Sequence, residues 1–336
     1  QLREAWHITG PSSEGGEWWW EEPEALFLTA KSLVQNKFAL LDGFLHEPDF
    51  YALAAAARAE FEGGRMMRGA DLSGLATGQT HGDVQNFAKK TRKWTVRGDY
   101  SCIWYDDNPL TAPNRAFTSA LDRLIVRLKA APLGDVPSVE VSKRLHGVDF
   151  REETMVACYP GASRARYHPH VDNDRSYTYR VATAILYLNA DWRPHEDGGH
   201  LRLFNEGRLP LPQPTDLGVK YDVVPQGNRL LLFWATEEVP HEVLATNRDR
   251  YACTVWLVDG VRSAGDPSGA IRLCSQLQPI APLSLDEALQ NAAASIAQLE
   301  RLRTLTACLP RRQLDNDTMA EEVVARAVLA GSSAGY

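Results

Sequence analysis

Residues 229–258 read RLLLFWATEEVPHEVLATNRDRYACTVWLV. Two apolar runs, RLLLFW (229–234) and YACTVWLV (251–258), are rich in β-branched and aromatic residues, and each is the length of one strand. The polar connection between them carries His241 and ends at Arg250. Upstream the same texture recurs in TMVACY (154–159), VATAILYL (181–188) and HLRLF (200–204). Turn material separates these runs: Pro160-Gly161, Gly198-Gly199 and Gln226-Gly227-Asn228. Short strands joined by loops predict a mainly β domain with supporting helices, built as a sandwich, jelly roll or barrel. No internal repeat stands out.

The bulk numbers bound the function. The chain has 336 residues, 44% hydrophobic and 24% charged, the composition of a soluble globular protein. It holds no apolar run long enough to span a membrane. A net charge of −7 argues against nucleic acid as the main partner, since a phosphate backbone needs a basic face. The cysteines Cys102, Cys158, Cys253, Cys274 and Cys308 are scattered, with no CxxC pair. They fit neither a zinc knuckle nor a disulfide framework, and a reducing compartment, cytoplasmic or nuclear, is expected. The chain begins at Gln1, which leaves room for a preceding targeting segment.

Three parts are expected: an N-terminal extension over 1–35, a main domain over 36–265 with its β core at 153–260, and a C-terminal helical segment over 266–336 packed on or next to the core. In the first, Trp18-Trp19-Trp20 cannot share one helical face; they cap an apolar surface of the main domain or form a partner patch. KFALLDGFL (37–45) predicts a buried strand and turn. Pro48 opens a helix with Phe50, Leu53, Ala54, Ala57 and Phe61 at helical spacing, and Phe117, Leu121, Leu124 and Leu128 mark a second. Residues 62–94 read as a long loop or loose hairpin. After Pro282, Ser284 and Glu287 form a capping box for a helix striped by Leu285, Leu289, Ala292, Ile296 and Leu299.

The stretch 168–172 is His-Pro-His-Val-Asp. On an extended strand His170 and Asp172 point the same way, so both can reach one cation. Alone such a pair is weak. His241 follows 241 − 172 = 69 residues later, room for several strands to fold back beside the first. Two His and one carboxylate form the facial triad of non-haem iron(II) sites, which leaves adjacent positions open. Arg250 comes 250 − 241 = 9 residues on and shares one strand face with Thr254 and Trp256. An inward Arg is costly without an anion. Its fork fits a carboxylate, from an internal Asp or Glu or from a diacid cosubstrate such as 2-oxoglutarate. Tyr187 either donates its hydroxyl to the same carboxylate or only packs the core.

Together MVACYPG (155–161), HVDN (170–173), ILYLNADW (185–192), GGHLRLF (198–204), LLFW (231–234), PHEV (240–243) and RYACTVW (250–256) resemble the prolyl 4-hydroxylases, most closely the hypoxia-inducible-factor prolyl hydroxylase type. Their order and most spacings agree over 153–260, with a fainter match in LLDGFL (40–45) and VRGDY (96–100). The resemblance implies a double-stranded β-helix, the cupin-like jelly roll, as an Fe(II)/2-oxoglutarate dioxygenase domain over 36–265. It implies iron held by His170, Asp172 and His241, with 2-oxoglutarate and O2 as cosubstrates and ascorbate supportive. Arg250 would bind the distal carboxylate of 2-oxoglutarate, helped by Tyr187, with Thr254 and Tyr159 beside it. Leu201, Val243 and Trp256 match apolar wall positions; Arg180, Arg97 and Asp99 match residues near the substrate. The implied reaction converts 2-oxoglutarate to succinate and CO2 while hydroxylating C4 of a prolyl residue in a protein or peptide.

Departures from the family pattern bear on substrate. The stretch between Tyr159 and His170 is one residue longer, 205–228 is longer, and the loop before Val96 carries Lys89, Lys90, Arg92 and Lys93. That loop is either a solvated face or a seat for an acidic substrate segment. A small-molecule or non-prolyl target is the alternative within the oxygenases. A non-catalytic β-helix binding protein is the alternative outside them, disfavoured by the intact triad and Arg250. A cupin-like zinc enzyme gives no reason for Arg250.

Overall fold

The computed structural model describes residues 7–10, 18–68, 98–106, 112–131, 134–173, 179–207, 217–260 and 277–280. In chain order these give β1 (His7–Thr9), α1 (Pro23–Gln35), β2 (Phe38–Asp42), α2 (Glu47–Glu62), β3 (Met67–Arg68), β4 (Tyr100–Trp104), α3 (Asn114–Ala130) and α4 (Val136–Leu145). Then follow β5 (Val148–Glu152), β6 (Thr154–Tyr159), β7 (Tyr167–His170), β8 (Arg180–Tyr187), a one-turn α5 (Pro194–Asp197) and β9 (Leu201–Phe204). The last are β10 (Val219–Val223), β11 (Arg229–Trp234), β12 (His241–Val243), β13 (Arg250–Asp259) and β14 (Leu277–Pro279). The five expected strands all form, within one residue of their expected bounds.

One sheet runs β1-β2-β11-β8-β13-β6-β4-β3, with β5 paired to β13 and β14 paired to β5. A smaller sheet runs β10-β9-β12-β7. The two face each other. Phe233 of β11 meets His241 of β12 edge-on at 4.8 Å, and Phe38 of β2 stacks on Tyr221 of β10 at 5.7 Å. The space between is the lumen of a jelly roll.

Helices cover the other face of the large sheet. Packed there, α2 lies on β6 and β13, and α1 on β2. Pro48 sits in the first turn of α2, where its missing N–H is no loss, and Phe50, Leu53 and Ala57 are buried. Phe117, Leu121, Leu124 and Leu128 form the buried stripe of α3. Asp135 caps α4 by accepting from the Ser138 N–H at 2.8 Å.

The described part of residues 1–35 belongs to the core. Strand β1 pairs in parallel with β2. Trp19 and Trp20 are buried and donate their indole N–H groups to the Gly43 and Phe44 carbonyls at 2.8 and 3.0 Å. Trp20 stacks on Phe44 at 5.2 Å, so the tryptophans do cover an apolar surface of the main domain. Helix α1, hidden by the Glu- and Ser-rich composition around it, buries Leu26, Ala30 and Leu33 at helical spacing. Of 266–336, where helix is expected, the described piece is strand β14. Its Pro279 lies on a sheet edge, where a missing donor is tolerated. The capping box at Ser284, the helix after it and the basic loop around Lys89 lie outside the described residues. Among the described residues no helix is long and apolar enough to cross a membrane.

Candidate active site

The small sheet brings the triad together. His241 opens β12 and pairs in register with His170 at the end of β7. Asp172 follows in the turn. One ligand atom from each of His170, Asp172 and His241 lies within 4.8 Å of the others. The Nε2 atoms of His170 and His241 approach the two Asp172 oxygens at 3.8 and 3.7 Å. Their Nδ1 atoms sit 2.9 and 3.0 Å from the His168 and Val239 carbonyls. Those carbonyls accept only from Nδ1–H, so in the neutral imidazole the lone pair of each ring sits on Nε2, the atom that faces Asp172. Burial opposes ionisation of Asp172. His241, His170, Arg180 and a 2.6 Å hydrogen bond from the Thr183 hydroxyl outweigh it and hold the carboxyl below its usual range. The donor set of two imidazoles and one carboxylate suits iron(II) and leaves room for further ligands.

The large sheet supplies the floor of the lumen. Along β8 the inward positions are Tyr187, Ile185 and Thr183; along β13 they are Arg250, Ala252, Thr254 and Trp256. Tyr187 is register-paired with Ala252, and Thr183 with Trp256. Tyr187 and Arg250 therefore mark one end and Thr183, bonded to Asp172, marks the metal level about 13 Å along the strand. Arg180 lies beyond it, towards the opposite end.

Arg250 is only 2% exposed. Its Nε donates to the Gly199 carbonyl at 2.8 Å, and its guanidinium lies 5.0 and 5.1 Å from the Tyr159 and Tyr187 rings. Among the described residues no carboxylate lies within ion-pair distance of it. The Tyr187 hydroxyl is buried with no hydrogen-bond partner, as is the indole N–H of Trp256. Burial drives the Tyr187 pKa up to about 12 against the pull of Arg250 and Arg229, so the phenol keeps its proton and can donate it. A buried cation and a buried unsatisfied donor side by side are expensive unless an anion completes them. The residues present thus fit a chelating diacid with one carboxylate at Arg250 and Tyr187.

Thr254, Leu201 and Val243 are buried in this lumen, and Tyr159 is paired with Arg250 across β6 and β13. Asp99 is fully buried. Arg97 lies outside the described residues. Sequence reasoning missed four neighbours. Thr183 was findable, being four residues before Tyr187 on the same strand face. Tyr167 lies against the His170 ring, tilted by 35° with centroids 4.1 Å apart. Gly199 adopts φ +64, and a Cβ there would meet the Arg250 side chain at 3.1 Å, so glycine is required. Glu152, which pairs with Arg180, had no local signal at all.

Comparison with known proteins agrees with this geometry. Residues 154–258 match the family model of the 2OG-Fe(II) oxygenase superfamily. The chain is 34% identical over 204 residues to Egl nine homolog 1 of Homo sapiens, covering 56% of this chain and 42% of that protein. It is 41% identical over 117 residues to prolyl hydroxylase EGLN3 of Homo sapiens, covering 35% of this chain and 44% of that one. The chain spans about half the length of the curated relatives it matches. Among solved structures, a prolyl hydroxylase from Trichoplax adhaerens, determined with a hypoxia-inducible-factor peptide, superposes with a TM-score of 0.54 at 24% identity. It covers 78% of this chain and 99% of that one, and shares the fold. The matched residues 154–258 contain His170, Asp172, His241 and Arg250, so the whole cluster lies within the stretch that is similar to the 2OG-Fe(II) oxygenase superfamily.

Proposed function

We propose that the chain is an Fe(II)- and 2-oxoglutarate-dependent dioxygenase that hydroxylates C4 of a prolyl residue in a protein or peptide. The observation that carries this reading is Arg250, a buried guanidinium with no carboxylate in ion-pair reach among the described residues, in the lumen that also holds the His170, Asp172 and His241 cluster. Iron, when bound, supplies the redox chemistry that couples decarboxylation of 2-oxoglutarate to substrate oxidation.

The protein's own part is to bind and orient. His170, Asp172 and His241 would hold the metal with two imidazoles and one carboxylate. Arg250 and the Tyr187 hydroxyl hold the distal carboxylate of the cosubstrate. Thr254 and Tyr159 line that seat, and Leu201 and Val243 keep it apolar. The Thr183 hydroxyl fixes the rotamer of Asp172. No side chain needs to act as nucleophile or general base. Support by ascorbate and a cytoplasmic or nuclear location belong to the same reading.

The test is mass spectrometry of proline-containing peptides after incubation with Fe(II), 2-oxoglutarate and air. Succinate in step with a single added oxygen on proline is expected. Succinate coupled to oxygen on another residue or on a small molecule would replace the prolyl part of the proposal. No succinate with any substrate would contradict the oxygenase part.

A further inference from the structure

Arg180 occupies the end of the lumen away from Arg250, past the metal level, where a substrate must approach. A cation there invites the reading that it receives an acidic substrate residue. Its contacts speak otherwise. Nε and one terminal nitrogen form a fork on the two Glu152 oxygens at 2.6 and 2.8 Å. Its plane lies 3.8 Å over the Trp256 ring. The remaining nitrogen points at the Asp172 carbonyl at 3.5 Å. Glu152 is itself 5% exposed and lies in β5, register-neighbour of β13.

An incoming carboxylate would have to displace Glu152 and strand it, buried and charged. Breaking such a pair costs roughly a hundredfold or more in affinity. We infer that Glu152 sets the substrate's charge preference by neutralising Arg180, so that this position offers a charge-balanced, aromatic-backed surface to the residues flanking the target carbon. The inference rests on the prolyl hydroxylase reading above. It assigns the chain a target proline with neutral neighbours, and names Glu152 as the residue that excludes acidic ones.

The test compares two synthetic peptides that differ only in Glu against Gln at the positions flanking the proline. The readout is the ratio of kcat/KM for the acidic peptide to that for the neutral one. Wild type should give a ratio near or below one. Glu152→Gln keeps the shape but frees the fork, and should raise the ratio about tenfold. The double variant Glu152→Gln/Arg180→Gln removes both charges and should return it to within about twofold of wild type. An unchanged ratio in Glu152→Gln would overturn the inference. So would a wild type that already favours the acidic peptide and loses that preference in the double variant. If Glu152→Gln fails to fold, Glu152→Ala takes its place by the same criterion: a raised ratio is expected, and an unchanged one overturns the inference. A wild type that consumes neither peptide nor any other proline-containing peptide removes the prolyl reading itself, and this inference with it.

Discussion

Strand β13 presents two faces with opposite jobs. Tyr251, Cys253, Val255 and Leu257 are buried towards the helices, where α2 packs. Arg250, Ala252, Thr254 and Trp256 face the lumen, alternating with them residue by residue. The helix side is filled by close-packed apolar atoms, and an ion cluster there joins Arg151 to Asp122 and Asp106. The lumen side is under-filled in a specific way: a cation with no carboxylate in ion-pair reach among the described residues, an unsatisfied phenol and three converging ligand atoms. The helix side is completed mainly by apolar packing, with a few buried polar atoms such as Arg151 Nη1 and Asn114 Oδ1 left without a partner, whereas the lumen side offers a cation and metal-ligand atoms to a ligand. Substitutions on the two faces should therefore separate stability from binding.

The largest effect should come from the triad. His241→Ala removes one of three ligands, and iron-dependent succinate release should fall to background while the thermal midpoint in the absence of metal stays near wild type. Next, Leu257→Ala on the helix face should cost about 3 kcal/mol of stability by leaving a cavity, read by denaturant unfolding, with 2-oxoglutarate affinity of the folded fraction unchanged. Arg250→Met on the opposite face should do the reverse, weakening 2-oxoglutarate by roughly a hundredfold in calorimetry while stability holds or rises. A loss of fold in Arg250→Met, or of ligand binding in Leu257→Ala, would break the division.

Acid stability offers a finer test. Asp42 ends β2 at the deep end of the lumen. Burial opposes its charge, but hydrogen bonds from Arg229 and His7 lower its pKa from 3.8 to about 2. A depressed carboxyl contributes stability above its unfolded pKa and loses it as pH falls through the folded one. About 2 kcal/mol should thus disappear between about pH 4 and pH 2. Asp42→Asn should flatten that part of the profile. The smallest effect expected is at Thr183→Val, which removes the hydrogen bond to Asp172 and should weaken metal binding by about tenfold with little change in 2-oxoglutarate affinity at saturating metal.

These differences explain what was readable in the sequence. Strands β6, β8, β11 and β13 are continuous apolar runs because both faces are buried, and such runs stand out. His170 and Asp172 lie away from the runs and formed a weak pair until His241 and Arg250 were read with them, whereas Arg250 stood out because it directly opens such a run. Helix α1 did not, because its apolar stripe is one face of a segment flanked by Glu and Gly. Strands β7 and β12 are short and interrupted by the polar residues that do the chemistry, so they lack an apolar signature. Glu152 ends β5 as the first of two adjacent glutamates, and only the three-dimensional pairing of β5 with β13 brings it to Arg180.

The central claim is that three side chains from β7, its following turn and β12 share one iron ion while Arg250 seats a keto-diacid that chelates it. Anaerobic addition of Fe(II) and then 2-oxoglutarate to the protein tests it directly. The account predicts a weak visible charge-transfer band that requires both additions, is absent in His241→Ala, and needs far more 2-oxoglutarate in Arg250→Met. A band of undiminished strength in His241→Ala, or none in the wild type, would contradict it.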